Sequence, residues 1–166
     1  MAHCDHVHAH APSGAEVSAS LAAAARRFTD SGESWTAPRQ RTYELLLQAG
    51  RPIKAYDLIA AYAGAGRPPP KPPTVYRALD FLVVQGLAHR IESLNAFLAC
   101  HADHHGAAAE FLICDCCGRV EELDLAIGSA AIEAARARGF QPGRIVLEVH
   151  GACAACAGAS PTNAAA

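Results

Sequence analysis

PTVYRALDFLVVQGLAHRIESLNAFLAC, residues Pro73 to Cys100, decides the fold. Its first half has a helical period. Val75, Ala78, Leu79 and Leu82 fall at i, i+3, i+4 and i+7, one buried stripe. Pro73 suits a first helical turn and Gly86 closes the helix after Gln85. Tyr76, Arg77 and Asp80 lie off the stripe. Beyond Gly86 the pattern becomes strand-like: LAHRIES and AFLAC read as two short strands around Leu94-Asn95. A turn at those two residues places His89 directly across from Cys100. A one-residue slip would send them to opposite faces.

Upstream, Ala55, Leu58, Ile59 and Tyr62 give a buried stripe to a helix over 54–63, with Tyr56 off it. GAGRPPPKPP separates that helix from the next and is a loop by composition. Another helix is expected from Pro38 to Ala49, with Tyr43, Leu46 and Leu47 on one face and Gly50 at its end. LAAAARRF, 21–28, favours helix by propensity. Residues 1–20, rich in Ala, Ser, Gly and His, read as a disordered tail. Helices followed by a two-stranded wing make a winged helix-turn-helix, whose last helix enters the DNA major groove.

Downstream, HADHHGAAA reads as a polar hinge. EFLIC and GRVEELD read as strands, 128–138 as a helix closed by Gly139, and RIVLEVH as a strand with Ile145, Leu147 and Val149 on one face. The fold class is α+β. The expected organisation is a tail at 1–20, a winged-helix domain at 21–100, a hinge at 101–109, a small α/β domain at 110–158 and a second tail at 159–166. About fifty residues are too few to hold together without a staple, so the last domain calls for a metal or a partner copy.

Charge divides along the same line. Leu21 to Glu92 carries ten Lys/Arg against six Asp/Glu, and the remainder four against ten. A basic half beside an acidic half suggests two modules with different partners. No apolar run is long enough for a transmembrane helix, and MAHCDHVHAHAP lacks the pattern of a secretory signal, so a cytoplasmic location is expected. Seven cysteines in a reducing compartment point to metal rather than disulfides.

The strongest chemical signal is Cys114-x-x-Cys117 with Cys153-x-x-Cys156. Two such knuckles supply four thiolates in a closed tetrahedron, the arrangement of structural zinc. Cys116 adjoins Cys117 and is not expected to reach the same ion. A second set comprises His89, Cys100, His101, His104, His105 and Glu122. Imidazole, thiolate and carboxylate together suit zinc better than magnesium or calcium. These residues span the wing, the hinge and the last domain, so one ion held by all of them would fix the orientation of two domains. His3, Cys4, His6, His8 and His10 could bind metal loosely. For DNA, Arg77 is the candidate for bidentate contact with guanine and Tyr56 for a base contact. Lys71, with Arg39, Arg41, Lys54 and Arg90, is a candidate for phosphates. No G-x-S-x-G, phosphate-cradling glycine loop, H-E-x-x-H or deaminase pattern occurs, and neither cysteine pair leaves an open metal position. The chain is therefore not expected to be an enzyme, nor to have a small-molecule substrate or a membrane partner.

The segments A55-Y56-D57-L58, K71-P72-P73-T74-V75-Y76-R77-A78-L79-D80-F81-L82 and H89-R90-I91-E92-S93 resemble the ferric uptake regulator superfamily. F111-L112-I113-C114-D115-C116-C117-G118 and H150-G151-A152-C153-A154-A155-C156 extend the likeness, which covers about 21–156. The wording is most similar to the zinc uptake branch. The resemblance implies a homodimer that binds double-stranded operator DNA when zinc-loaded and represses zinc-import genes, with two Zn2+ per chain. It implies DNA contacts by Tyr56 and Arg77, joined by their neighbours Lys71, Thr74 and Tyr76. Cys114, Cys117, Cys153 and Cys156 match structural zinc ligands, and His89, Cys100 and Glu122 regulatory ones. The fourth regulatory ligand is a linker histidine, His105 ahead of His104; the linker here is shorter than the family pattern. The His-rich N-terminus lies outside that pattern. Two other readings stay open: a sensor of iron, manganese or peroxide, and a zinc-buffering protein.

Overall fold

A computed structural model describes residues 12–63, 70–100, 108–123, 127–143 and 145–158. The chain divides into two compact units, with the break after His105.

The first unit opens with helix α1, Gly14–Ser31. The expected tail therefore ends earlier than Ser20. The reason is local. Ser13 and Glu16 form a capping box, the Glu16 N–H donating to Ser13 Oγ at 3.3 Å and the Ser13 N–H donating to Glu16 Oε2 at 2.7 Å. Val17, Ala24 and Phe28 then bury one face of the alanine-rich turn sequence. Trp35, just before the next helix, stacks on Phe28 with ring centroids 4.9 Å apart.

Helix α2, Ala37–Ala49, ends at Gly50, whose left-handed φ of 58° suits a residue without Cβ. Helix α3 spans Ala55–Ala63 and α4 spans Pro72–Val84. Tyr43, Leu46, Leu47, Leu58, Val75, Leu79 and Leu82 make one continuous core with Phe28. Thr42 is buried and Tyr62 partly buried, and both have partners: their hydroxyls meet at 2.6 Å, and both reach the Pro38 carbonyl. That triangle ties α3 to the start of α2.

The wing consists of β1, Ala88–Ile91, and β2, Ala96–Ala99. Its register differs from expectation. His89 pairs with Leu98, not Cys100, because the turn takes four residues, Glu92 to Asn95, with Asn95 at φ 47°. The shift is two residues, so pleat parity survives. The Cys100 N–H donates to the Leu87 carbonyl at 3.0 Å, extending the ladder by one more rung. His89 and Cys100 are thus diagonal neighbours on one face rather than direct partners. Phe97 also exchanges two backbone hydrogen bonds with Ile53, at 2.8 and 2.9 Å. This bridge fastens the segment before α3 to the wing and completes the winged helix-turn-helix.

The second unit is a three-stranded sheet in the order β4-β3-β5. Its strands are β3, Ala108–Cys114, β4, Val120–Leu123, and β5, Ile145–Gly151. β4 returns antiparallel beside β3; β5 runs parallel to β3 after a crossover through helix α5, Ile127–Arg136. The buried Glu110 accepts the Gly128 N–H at 2.6 Å, a charge-assisted cap on the α5 N-terminus. A four-residue helix α6, Ala154–Ala157, follows β5. The second unit thus runs strand, strand, helix, strand, with strand pairing beginning at Ala108.

Candidate metal centres and nucleic-acid face

The parallel register of β3 and β5 sets Cys114 beside Gly151. Both strands therefore finish at the same sheet end, and each delivers one cysteine knuckle there. After β3 the chain turns tightly through Gly118, at φ 71°, where the Gly118 N–H returns to the Cys114 carbonyl at 2.9 Å. That turn carries Cys117 back towards Cys114. After β5, Cys153 is the N-cap residue of α6 and Cys156 lies within that helix.

The donor atoms of Cys114, Cys117, Cys153 and Cys156 all lie within 4.8 Å of one another. Cys117 Sγ and Cys153 Sγ are 3.9 Å apart. A tetrahedron with zinc–sulfur bonds of about 2.3 Å has edges of about 3.8 Å, so the spacing fits zinc. Cys116 is half-buried and stands outside the cluster of four.

The thiols are electrostatically unequal. Backbone N–H groups of Cys117 and then Cys153 point at Cys114 and draw its pKa down to about 6, against the opposing effect of burial. Cys156 is pushed up to about 12, first by burial, then by thiols of Cys153, Cys117 and Cys114 and by the charge on Cys114. Four thiols this close cannot all ionise in the absence of a cation. Binding a divalent ion there must displace protons, so affinity rises with pH.

Sequence reasoning passed over two residues at this end of the sheet. Asp115 follows β3 and its N–H donates to the Gly151 carbonyl at 2.8 Å. His150 Nδ1 lies 2.8 Å from Asp115 Oδ1. That hydrogen bond, then the charges of Asp115 and Glu148, raises the His150 pKa against the effect of desolvation.

In the first unit, the donor atoms of Cys100, which is buried, and His89, which is half-buried, lie within 4.8 Å of each other. The wing diagonal brings them together. Glu122 sits on β4 of the second unit, paired with Phe111 across the ladder and half-buried. His101, His104 and His105 lie outside the described residues, as do His3, Cys4, His6, His8 and His10.

Helices α3 and α4 offer polar residues to solvent. Tyr56 is 79% exposed, which excludes a core role for it. Tyr76 is 48% exposed, Lys71 and Arg77 are exposed, and Thr74 is half-buried. Lys71 is the N-cap residue of α4, with Thr74 and Arg77 in its first two turns. Three other basic candidates are engaged within the chain. Arg39 lies over the Phe81 ring and donates to the Ser34 carbonyl. Arg41 pairs with Glu44 at 2.7 Å and Arg90 with Glu92 at 3.0 Å. No helix among the described residues is long and apolar enough to cross a membrane.

No family model matches the chain. It is 44% identical over 106 residues to the zinc uptake regulation proteins of Escherichia coli (strain K12) and Shigella flexneri. That alignment takes in 63% of this chain and 61% of each relative, so the chain spans about three-fifths of the length of the curated relatives it matches. Among solved structures, holo XcZur superposes with a TM-score of 0.74 at 43% identity, over 83% of this chain and 96% of that one. A zinc uptake regulator complexed with zinc and DNA superposes with a TM-score of 0.79 at 36% identity, over 86% and 96%. The Helicobacter pylori ferric uptake regulator, at 15% identity and a TM-score of 0.52 over 85% and 93%, shares the fold.

Proposed function

Since the chain belongs to the ferric uptake regulator family, in its zinc uptake branch, we propose that it is a zinc-responsive repressor that binds operator DNA as a homodimer and controls zinc-uptake genes. The observation that carries this reading is the contents of the first unit. It presents Tyr56, Tyr76, Lys71 and Arg77 to solvent on adjacent helices, and it sets His89 and Cys100 together at the end of the wing.

Two zinc ions per chain are expected. Cys114, Cys117, Cys153 and Cys156 would hold one for structure. His89, Cys100, Glu122 and a linker histidine, His105 ahead of His104, would hold the other for regulation. These residues would supply the ion with thiolate, imidazole and carboxylate ligands. Thiolate and imidazole in that set favour zinc over harder metals. The residues themselves do the reading. Arg77 offers a planar fork to guanine, Tyr56 a base contact, and Lys71, Thr74 and Tyr76 contacts along the groove wall. A dimer carries two such helices to half-sites one duplex turn apart. Without the hinge ligands engaged, fewer chains present both helices at that spacing, and apparent affinity falls by that fraction.

The deciding experiment is operator-length duplex binding by the full chain, titrated with buffered free zinc and with iron and manganese as controls. Binding is expected to appear only as zinc rises, with two ions per chain at saturation. Binding that ignores zinc, or that follows manganese or iron instead, would sink the zinc reading. Arg77→Ala is expected to weaken operator binding by about 1–3 kcal/mol and relax discrimination at one base position. Zinc content should stay at the parental value. Equal affinity of variant and parent for operator and scrambled duplex would remove Arg77 from base reading.

A further inference from the structure

The four-cysteine site is assembled from two stretches of chain, and beyond the β3–β5 ladder two contacts outside the thiols join them at that end among the described residues. One is the Asp115 N–H to the Gly151 carbonyl at 2.8 Å, which any residue but proline could make. The other needs specific side chains: His150 Nδ1 lies 2.8 Å from Asp115 Oδ1. An ionised carboxylate only accepts, so Nδ1 carries the proton and donates. The other ring nitrogen, Nε2, lies 3.8 Å from Glu148 Oε2. The imidazole thus stands between two carboxylates, one on each knuckle-bearing stretch, and is hydrogen-bonded to that of Asp115.

We propose that Asp115 and His150 are positioning residues, a side-chain clamp that holds the two cysteine knuckles at metal-binding distance and slows release of the ion. The placement follows from register. Ile113 pairs with His150 and Cys114 with Gly151, so Asp115, one residue past the end of β3, comes within reach of His150. The clamp grips the chain at the residue next to Cys114. A second bond completes the frame: the Cys153 N–H donates to Cys114 Sγ at 3.3 Å, and it keeps that geometry only while the strand ends stay in register. Asp115 is largely exposed and His150 partly so, which limits the clamp to the contribution of one hydrogen bond.

The proposal rests on the reading that the four thiolates hold zinc. The test follows zinc transfer from the full chain to a chromogenic chelator, in a His89→Ala background so that only the four-cysteine site retains metal. Asp115→Ala and His150→Ala are each expected to release zinc about threefold to tenfold faster than the parent. The double variant should be no faster than either single one. Asp115→Asn, which keeps an acceptor oxygen, should release at the parental rate. So should Glu121→Gln, which removes an exposed carboxylate from the neighbouring strand. Far-UV circular dichroism of the loaded variants should match the parent. Parental release from both alanine variants, additive acceleration in the double, or equal acceleration by Asn and Ala at 115 would overturn the clamp. A parent that carries no zinc at this site would overturn the zinc reading and the clamp together, a result distinct from the other three.

Discussion

Cys153→Ser in the full chain is expected to strip the structural ion and unfold the second unit while leaving the first intact. The buried apolar residues described beyond Cys100 are Phe111, Ile113, Cys114 and Cys156, and two of these four are thiols. Such a core cannot offset the ordering cost of a fifty-residue unit. Structural zinc contributes roughly 10–16 kcal/mol in small zinc-dependent domains, as much as an ordinary domain's whole stability. The first unit has its own core, from Val17 to Ala99, and needs no thiolate from the second. Metal analysis and thermal unfolding would read the result: loss of one zinc per chain, and one surviving cooperative transition in place of two. A variant that keeps its metal and both transitions would show that the Cys153 thiolate is dispensable and the site is not the staple.

Cys100→Ser should do the opposite: leave both units folded and remove the response. Serine matches cysteine in shape but is a poor ligand for zinc, and Cys100 is buried beside His89 at the end of the wing. Operator binding at saturating zinc is expected to fall to the level seen without zinc, a loss of about 5- to 150-fold. One zinc per chain should remain, in the four-cysteine site. Fluorescence anisotropy with labelled operator, run beside metal counting, separates the outcomes. Full zinc response in the variant would remove Cys100 from the regulatory set. Unfolding would mean that the two sites do not divide into structural and regulatory.

How much of this was legible in the sequence depends on the range of the interactions involved. Helices α2, α3 and α4 were, because their stripes and their Pro and Gly punctuation are local. The four thiolates were, because C-x-x-C spacing is itself the local half of a tetrahedral site. Helix α1 starts earlier than helix propensity alone indicates, because the Ser13–Glu16 capping box lies within a compositionally biased stretch. The wing register differs by two residues from that of a two-residue turn at Leu94-Asn95, because Asn95 takes its positive φ as the last residue of a four-residue turn. Period-2 patterning tolerates an even slip, so His89 and Cys100 still met. The Asp115–His150 contact was invisible for a deeper reason. It depends on the parallel pairing of β3 with β5, whose register no one-dimensional pattern announces.

That parallel pairing also sets where the chain is free to vary. The pairing of β3 with β5, and not the crossover, brings Cys114 and Cys153 to one end of the sheet, so the stretch that joins β4 to β5 has no fixed length to honour. Insertions between Leu123 and Ile145 can lengthen the crossover and leave both strand ends where they are, apart from the Glu110 cap at Gly128. A single residue added between Gly151 and Cys153 would carry the third thiol past its partners. Drift in length should therefore concentrate in the crossover, and the spacing from the end of β5 to the second knuckle should be kept residue for residue.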